Sequence, residues 1–192
     1  MIYNYGRFHN NKVNQVIHFI FIPTIQGTLF ILGAINWHQI QLSFLESVVP
    51  EGKICVETWL LLITVLTMYF MADVSTGLVA ALWSIPQLLI SQYMAAAPAG
   101  TYALKVNGTV FELHYIALYL HIAAWIAQFY GHGVHEGRAP ALMTNLFYSL
   151  LAPFFVTFEF MNGVFGYKEK EMVDIRKRIN KDIAEFKKKK SA

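Results

Sequence analysis

The chain has 192 residues, of which 56% are hydrophobic and only 14% charged. A soluble globular chain carries about 25% charged residues, so this one lacks the polar surface to face water on all sides and reads as embedded in a bilayer. Its net charge of +3 lies mostly in a tail, 168–190, with Arg7 and Lys12 ahead of the first apolar stretch. That is flanking charge on a membrane protein rather than a nucleic-acid footprint, and no nucleic-acid partner is expected. The single cysteine, Cys55, excludes an internal disulfide and a thiolate cluster, so any metal must be held by His, Asp or Glu.

Five apolar segments follow in chain order, roughly 15–35, 58–73, 77–97, 112–131 and 140–161. The first is preceded by a polar, histidine-bearing stretch, which does not read as a cleavable signal peptide. A spanning helix needs about 20 apolar residues, and the first, third and fourth segments meet this while 58–73 is short. Asp73-Val74-Ser75-Thr76-Gly77 predicts a tight turn and hence a helical hairpin. The loop 36–57 turns at Pro50-Glu51-Gly52, and the loop 98–111 at Asn107-Gly108. The expected fold is an all-α, multi-span membrane bundle of about four to six helices, in two parts: a membrane-embedded catalytic region over 1–166 and a basic tail over 167–192. In the tail, Met172, Ile175, Ile179, Ile183 and Phe186 form one apolar stripe, suited either to the membrane surface or to docking on the bundle.

Charge sets the expected orientation. Arg7 and Lys12 precede the first span and the lysine tail follows the last, so the positive-inside rule puts both ends in the cytosol. That requires an even number of crossings. The segment 140–161, with Asn145, Pro153 and Glu159, is the expected non-crosser, a re-entrant or broken helix.

Polar groups inside apolar segments are functional suspects, and two clusters stand out. The first is Tyr5, His9, Asn14 and His18. Asn14 and His18 share a helix face. His9 and His18 would lie about 13.5 Å apart on an unbroken helix, so one ion could join them only if the chain turns between, as Asn10-Asn11 would allow. The second cluster is Gln128, His132, His135, Glu136 and Arg138. Gln128, His132 and His135 can face one site if the helix continues past Gly131. Imidazoles suit iron, zinc or copper; Glu136 suits a ligand or a group that fixes a histidine tautomer; Arg138 suits a substrate carboxylate. His121 stands eleven residues before His132, too far along a straight helix to share its metal, and hydrogen bonding within the bundle is its simpler role, as for His114 and His38. Spacing alone supports an intramembrane metal or proton site.

Taken together, the motifs resemble a known family. Tyr5-x3-His9-x4-Asn14-x3-His18 followed by Ile-Phe-Ile-Pro23, and Trp125-x2-Gln128-Phe-x-Gly131-His132-Gly-x2-Glu136-x-Arg138-x-Pro140-Ala141-Leu142, resemble the two signatures of the yeast-type 2-hydroxy fatty acid dioxygenases, once a domain of unknown function. Asn145-Leu and Leu-Ala-Pro153-x-Phe-x3-Phe-Glu159 continue the likeness, which covers about 3–166. The resemblance implies an iron(II)-dependent dioxygenase of the endoplasmic reticulum membrane. Such an enzyme shortens 2-hydroxy long-chain fatty acids by one carbon with O2, in the α-oxidation that degrades phytosphingosine. It implies His9, His18 and His132 as iron ligands; His135 is a further candidate from its spacing to His132, not from the resemblance. Tyr5, Asn14, Gln128, Glu136 and Arg138 are candidate catalytic residues. Departures at Asn10, His121 and His135 leave the full ligand set open. The final Lys189-Lys190-Ser191-Ala192 resembles a dilysine retrieval signal. Two rivals have less support: a membrane hydroxylase or desaturase would carry repeated His-x-x-His-His boxes, and a proton-coupled transporter would be expected to show half-to-half similarity.

Overall fold

The computed structural model describes residues 2–137 and 147–191. In chain order these form α1 (Ile2–Gly6), α2 (Lys12–Asn36), β1 (Gln39–Gln41), β2 (Lys53–Cys55), α3 (Val56–Ala72), α4 (Val74–Ala96), β3 (Leu104–Val106), β4 (Thr109–Phe111), α5 (Leu113–Tyr130), a π-helical segment (Gly131–Glu136), α6 (Phe147–Phe165) and α7 (Glu169–Ser191). Among the described residues the architecture is the expected all-α bundle. By length and composition α2, α4 and α6 can each cross a membrane, and α3 is a shorter apolar helix. Met71, Leu82 and Phe165 are 84%, 75% and 73% exposed, which suits side chains that meet lipid rather than water. The segment of α5 was expected to span and is not among the three; its histidines, tyrosines and Gln128 dilute its apolar character.

The chain divides into two compact units, one of Met1–Ile20 with Ala127–Ala192, the other of Phe21–Ile126. In the second unit α3 and α4 form the predicted hairpin. Asp73 sits in extended backbone between them and its carboxylate accepts the Thr76 N–H at 2.9 Å, a side-chain cap that closes the first turn of α4. A Cβ on Gly77 would stand 2.9 Å from the Phe70 ring and 3.0 Å from the Phe70 backbone nitrogen, so only glycine lets the helices meet this closely. Both expected loops contain small antiparallel hairpins, β1–β2 and β3–β4. The latter turns at Asn107 and Gly108, with φ 48° and 83°, the two positive φ values of a type I′ turn. Sequence periodicity misses these strands because each is three residues long.

Several buried polar groups in this unit pair with one another. Gln92 accepts the Cys55 N–H at 2.7 Å and donates to Thr58 Oγ1 at 2.9 Å. His121 accepts the Trp125 indole N–H on Nε2 at 3.1 Å. Its Nδ1 lies 2.9 Å from Thr28 Oγ1, and the Thr28 hydroxyl reaches the Thr24 carbonyl at 2.7 Å. His121 is therefore a satisfied core histidine, in keeping with its spacing.

In the first unit α6 runs unbroken through Pro153. The expected break therefore does not occur over 147–161; residues 140–146 lie outside the described residues. Proline removes one helical N–H, and apolar helices tolerate this where neighbouring groups satisfy the backbone. The tail helix α7 docks on α1. Ile179 is buried and its Cδ1 would touch a Cβ on Gly6 at 2.5 Å. Arg178 lies over the Tyr3 ring at 4.9 Å and Arg7 meets Asp182 at 3.5 Å.

Candidate metal centre

Three histidines converge in the first unit. His9 lies in the turn between α1 and α2, His18 on α2, and His132 on the π-helical segment; all three are buried. Each offers one ring nitrogen, and these nitrogens lie within 4.8 Å of one another. The rings stand nearly perpendicular, at interplanar angles of 87°, 81° and 86°. The approach of His9 to His18 depends on the chain turning at Asn11. There Asn11 Oδ1 accepts the Val13 N–H at 2.8 Å and caps α2, while α1 has already ended at Gly6. An unbroken helix would have held the two histidines apart.

The tautomers follow from the hydrogen bonds. His9 Nδ1 lies 3.0 Å from the Tyr5 carbonyl and His18 Nδ1 2.8 Å from the Asn14 carbonyl. A carbonyl oxygen can only accept, so both Nδ1 atoms carry hydrogen and both Nε2 atoms carry lone pairs. Those Nε2 atoms face each other at 3.0 Å. Two lone pairs at that distance repel unless something positive lies between them. Protonating a ring is disfavoured: burial, and then the neighbouring His18 and His132, hold the His9 pKa well below the usual histidine range. Burial, and then His18, push that of His132 down to about 4. His132 Nδ1 is buried with no hydrogen-bond partner among the described residues. Neutral imidazoles with backbone-anchored Nδ1–H groups are how metal-ligating histidines are held, so this donor set fits a divalent transition metal.

The surrounding side chains set the cluster's shape. Tyr5 stacks on His9 with centroids 3.8 Å apart, and on its other side lies Phe155 at 4.2 Å. The Tyr5 hydroxyl donates to Glu159 at 3.3 Å. Burial, and then the Glu159 carboxylate, hold that hydroxyl protonated far above its ordinary range. Gln15 donates to Glu159 at 3.3 Å and to the His9 carbonyl at 2.9 Å. Glu136 is a brace at this site: its Oε1 accepts the Asn11 N–H at 2.7 Å and the Asn14 side-chain amide at 3.2 Å, placing a carboxylate at the start of α2, where the helix dipole favours it.

Gln128 is buried and its amide nitrogen has no partner among the described residues. His135 is not in the cluster. It stacks edge-on against Tyr130, centroids 5.4 Å apart. An ordinary α-helix would align it with His132, but the wider π winding turns position 135 away. Arg138 lies outside the described residues. Glu159 and Gln15 are the site residues that sequence reading passed over; an acid inside an apolar segment was the signal for the first, and nothing marked the second.

The fold and site define a helical membrane protein with a buried three-histidine site able to hold a metal. The chain belongs to the 2-hydroxy-palmitic acid dioxygenase Mpo1-like family, whose profile matches residues 1–165. It is 33% identical over 158 residues to the 2-hydroxy-palmitic acid dioxygenase MPO1 of Saccharomyces cerevisiae, covering 82% of this chain and 75% of that one. No solved structure matches it.

Proposed function

We propose that this protein is an iron(II)-dependent dioxygenase that shortens 2-hydroxy fatty acids by one carbon; its yeast relative is named a 2-hydroxy-palmitic acid dioxygenase. One observation carries the reading: the facing lone pairs of His9 and His18 at 3.0 Å, with His132 beside them, in a chain of this family. His9, His18 and His132 are the proposed ligands. Held by these three histidines, iron(II) would keep positions open for oxygen and substrate and would supply the redox chemistry that activates oxygen.

The chain's own groups hold and shield that site. The Tyr5 and Asn14 carbonyls fix the tautomers of His9 and His18. The Tyr5 and Phe155 rings exclude water from one side of His9, and water exclusion strengthens every polar interaction within the site. Tyr5, hydrogen-bonded to Glu159, would hold a proton beside the substrate head group while the bond between its first two carbons breaks. The enzyme is proposed to reside in the endoplasmic reticulum membrane with both termini cytosolic, from the positive charge at Arg7, Lys12 and α7. On this reading its reaction belongs to fatty acid α-oxidation in the degradation of phytosphingosine.

The test is anaerobic purification in detergent, followed by metal analysis and 2-hydroxypalmitate turnover in the same preparation. Stoichiometric iron and an oxygen-dependent acid one carbon shorter support the reading. Iron-reconstituted, folded protein that consumes no 2-hydroxy acid overturns it.

A further inference from the structure

A cavity of about 480 Å³ lies in the same compact unit, walled by α1, α2, α6 and α7 and reaching His9. Its size falls within the roughly 300–1,000 Å³ of ligand pockets. At the His9 side the lining is polar: Tyr5, Gln15 and Glu159 are joined there by hydrogen bonds. Lys12 lines the same cavity and acts electrostatically on Glu159. Elsewhere the lining includes Phe155, Phe158, Met172 and Ile179. The second cation in the wall, Arg176, is already engaged by Glu169 at 2.5 and 3.0 Å and by Asn162 at 2.6 Å, so it offers no free charge to a ligand. A polar end beside a histidine of the cluster, with Phe155, Phe158, Met172 and Ile179 along the wall, matches an amphiphile with a polar head and an alkyl tail.

We infer that this cavity holds the alkyl chain of the acyl substrate, head group toward His9, and that Ile179 and Met172 of α7 form the wall that sets chain-length preference. The inference rests on the dioxygenase reading above for the identity of the head group. The tail helix is then part of the binding site. Its attachment supports this: Ile179 is buried against Gly6, and the Arg178–Tyr3 and Arg7–Asp182 contacts fix α7 to the N-terminal segment. Methionine and isoleucine make a wall that adapts to a chain yet fills volume when enlarged.

Two measurements on the iron-loaded protein test it. The first compares kcat and KM for 2-hydroxy fatty acids of graded chain length in the natural protein, Ile179→Trp and Ile179→Ala, with iron content as the control. Ile179→Trp is expected to raise KM for long chains relative to short ones by about tenfold or more, the scale of a small steric change in a hydrophobic pocket. Ile179→Ala is expected to move the preference toward longer chains. An unchanged chain-length profile in both variants overturns the inference while leaving the dioxygenase reading standing. The second measurement needs neither turnover nor a variant: a long-chain 2-hydroxy acid carrying a diazirine at its methyl end is photo-crosslinked to the natural protein. Label in α6 and α7 that excess unlabelled 2-hydroxy acid removes supports the cavity assignment. Label elsewhere, or label equally removed by phospholipid, marks an ordinary bilayer-lipid contact and overturns it.

Discussion

Gly131 lies so close to Asn14 that a Cβ at position 131 would stand 2.3 Å from the Asn14 side-chain oxygen. This contact joins the two signatures of the sequence, because Asn14 accepts the His18 Nδ1–H on its carbonyl and donates its amide to Glu136. A methyl group at 131 must displace a buried side chain of α2 or unwind the segment that carries His132. Gly131→Ala is therefore expected to destabilise the protein by about 1–3 kcal/mol, the usual cost of overpacking, and to weaken metal binding. Thermal unfolding in detergent with metal analysis of the same sample checks both.

The histidines should separate into two groups. Alanine at His9, His18 or His132 removes one of the three proposed ligands and is expected to abolish stoichiometric iron and turnover. His135→Ala should retain iron, since that ring faces Tyr130 rather than the cluster. Loss of iron in His135→Ala would return it to the ligand set.

Tyr5 contributes a ring and a hydroxyl that can be tested apart. Tyr5→Phe keeps the stack on His9 but removes a donor from Glu159. Leaving a buried polar group one partner short costs about 1–3 kcal/mol, so turnover is expected to fall with iron content maintained. Tyr5→Ala removes the stack as well and should reduce both. Equal effects from the two variants would assign no role to the hydroxyl.

Acid should destabilise the metal-free protein through its histidines. The folded pKa values of His9 and His132 are lowered, so the unfolded chain takes up protons first as pH falls below about 6.5. Stability is then present above about pH 6.5 and lost on acidification, for His132 down to its folded value of about 4. Bound metal should move this loss to lower pH, because protons must compete with it. Denaturant unfolding against pH, with and without iron(II), measures the difference; coincident profiles would contradict a histidine-bound metal.

A change in the other unit should affect stability alone. Gln92→Ala strips the buried Cys55 N–H of its acceptor and Thr58 of its amide donor, a loss of about 1–3 kcal/mol. Iron content in the folded fraction should not change, which separates general destabilisation from damage at the metal centre.

The sequence by itself determined the helices, because apolar runs of spanning length in a chain with 14% charged residues leave few other ways to satisfy the backbone. It determined the Asp73–Gly77 hairpin and the turn near Asn11 through local cap and turn chemistry, and it singled out His9, His18 and His132 through two motifs in order. Only the tertiary structure decided which polar groups meet. The π winding after Tyr130 removes His135 from the cluster, and periodicity cannot foresee it because it presumes regular helix. Glu136 serves as a brace on α2 because the fold brings it to Asn11, 125 residues away in the chain. Glu159, Gln15 and the docking of α7 on α1 are likewise products of packing between distant segments, where contact energies rather than local pattern choose the partner.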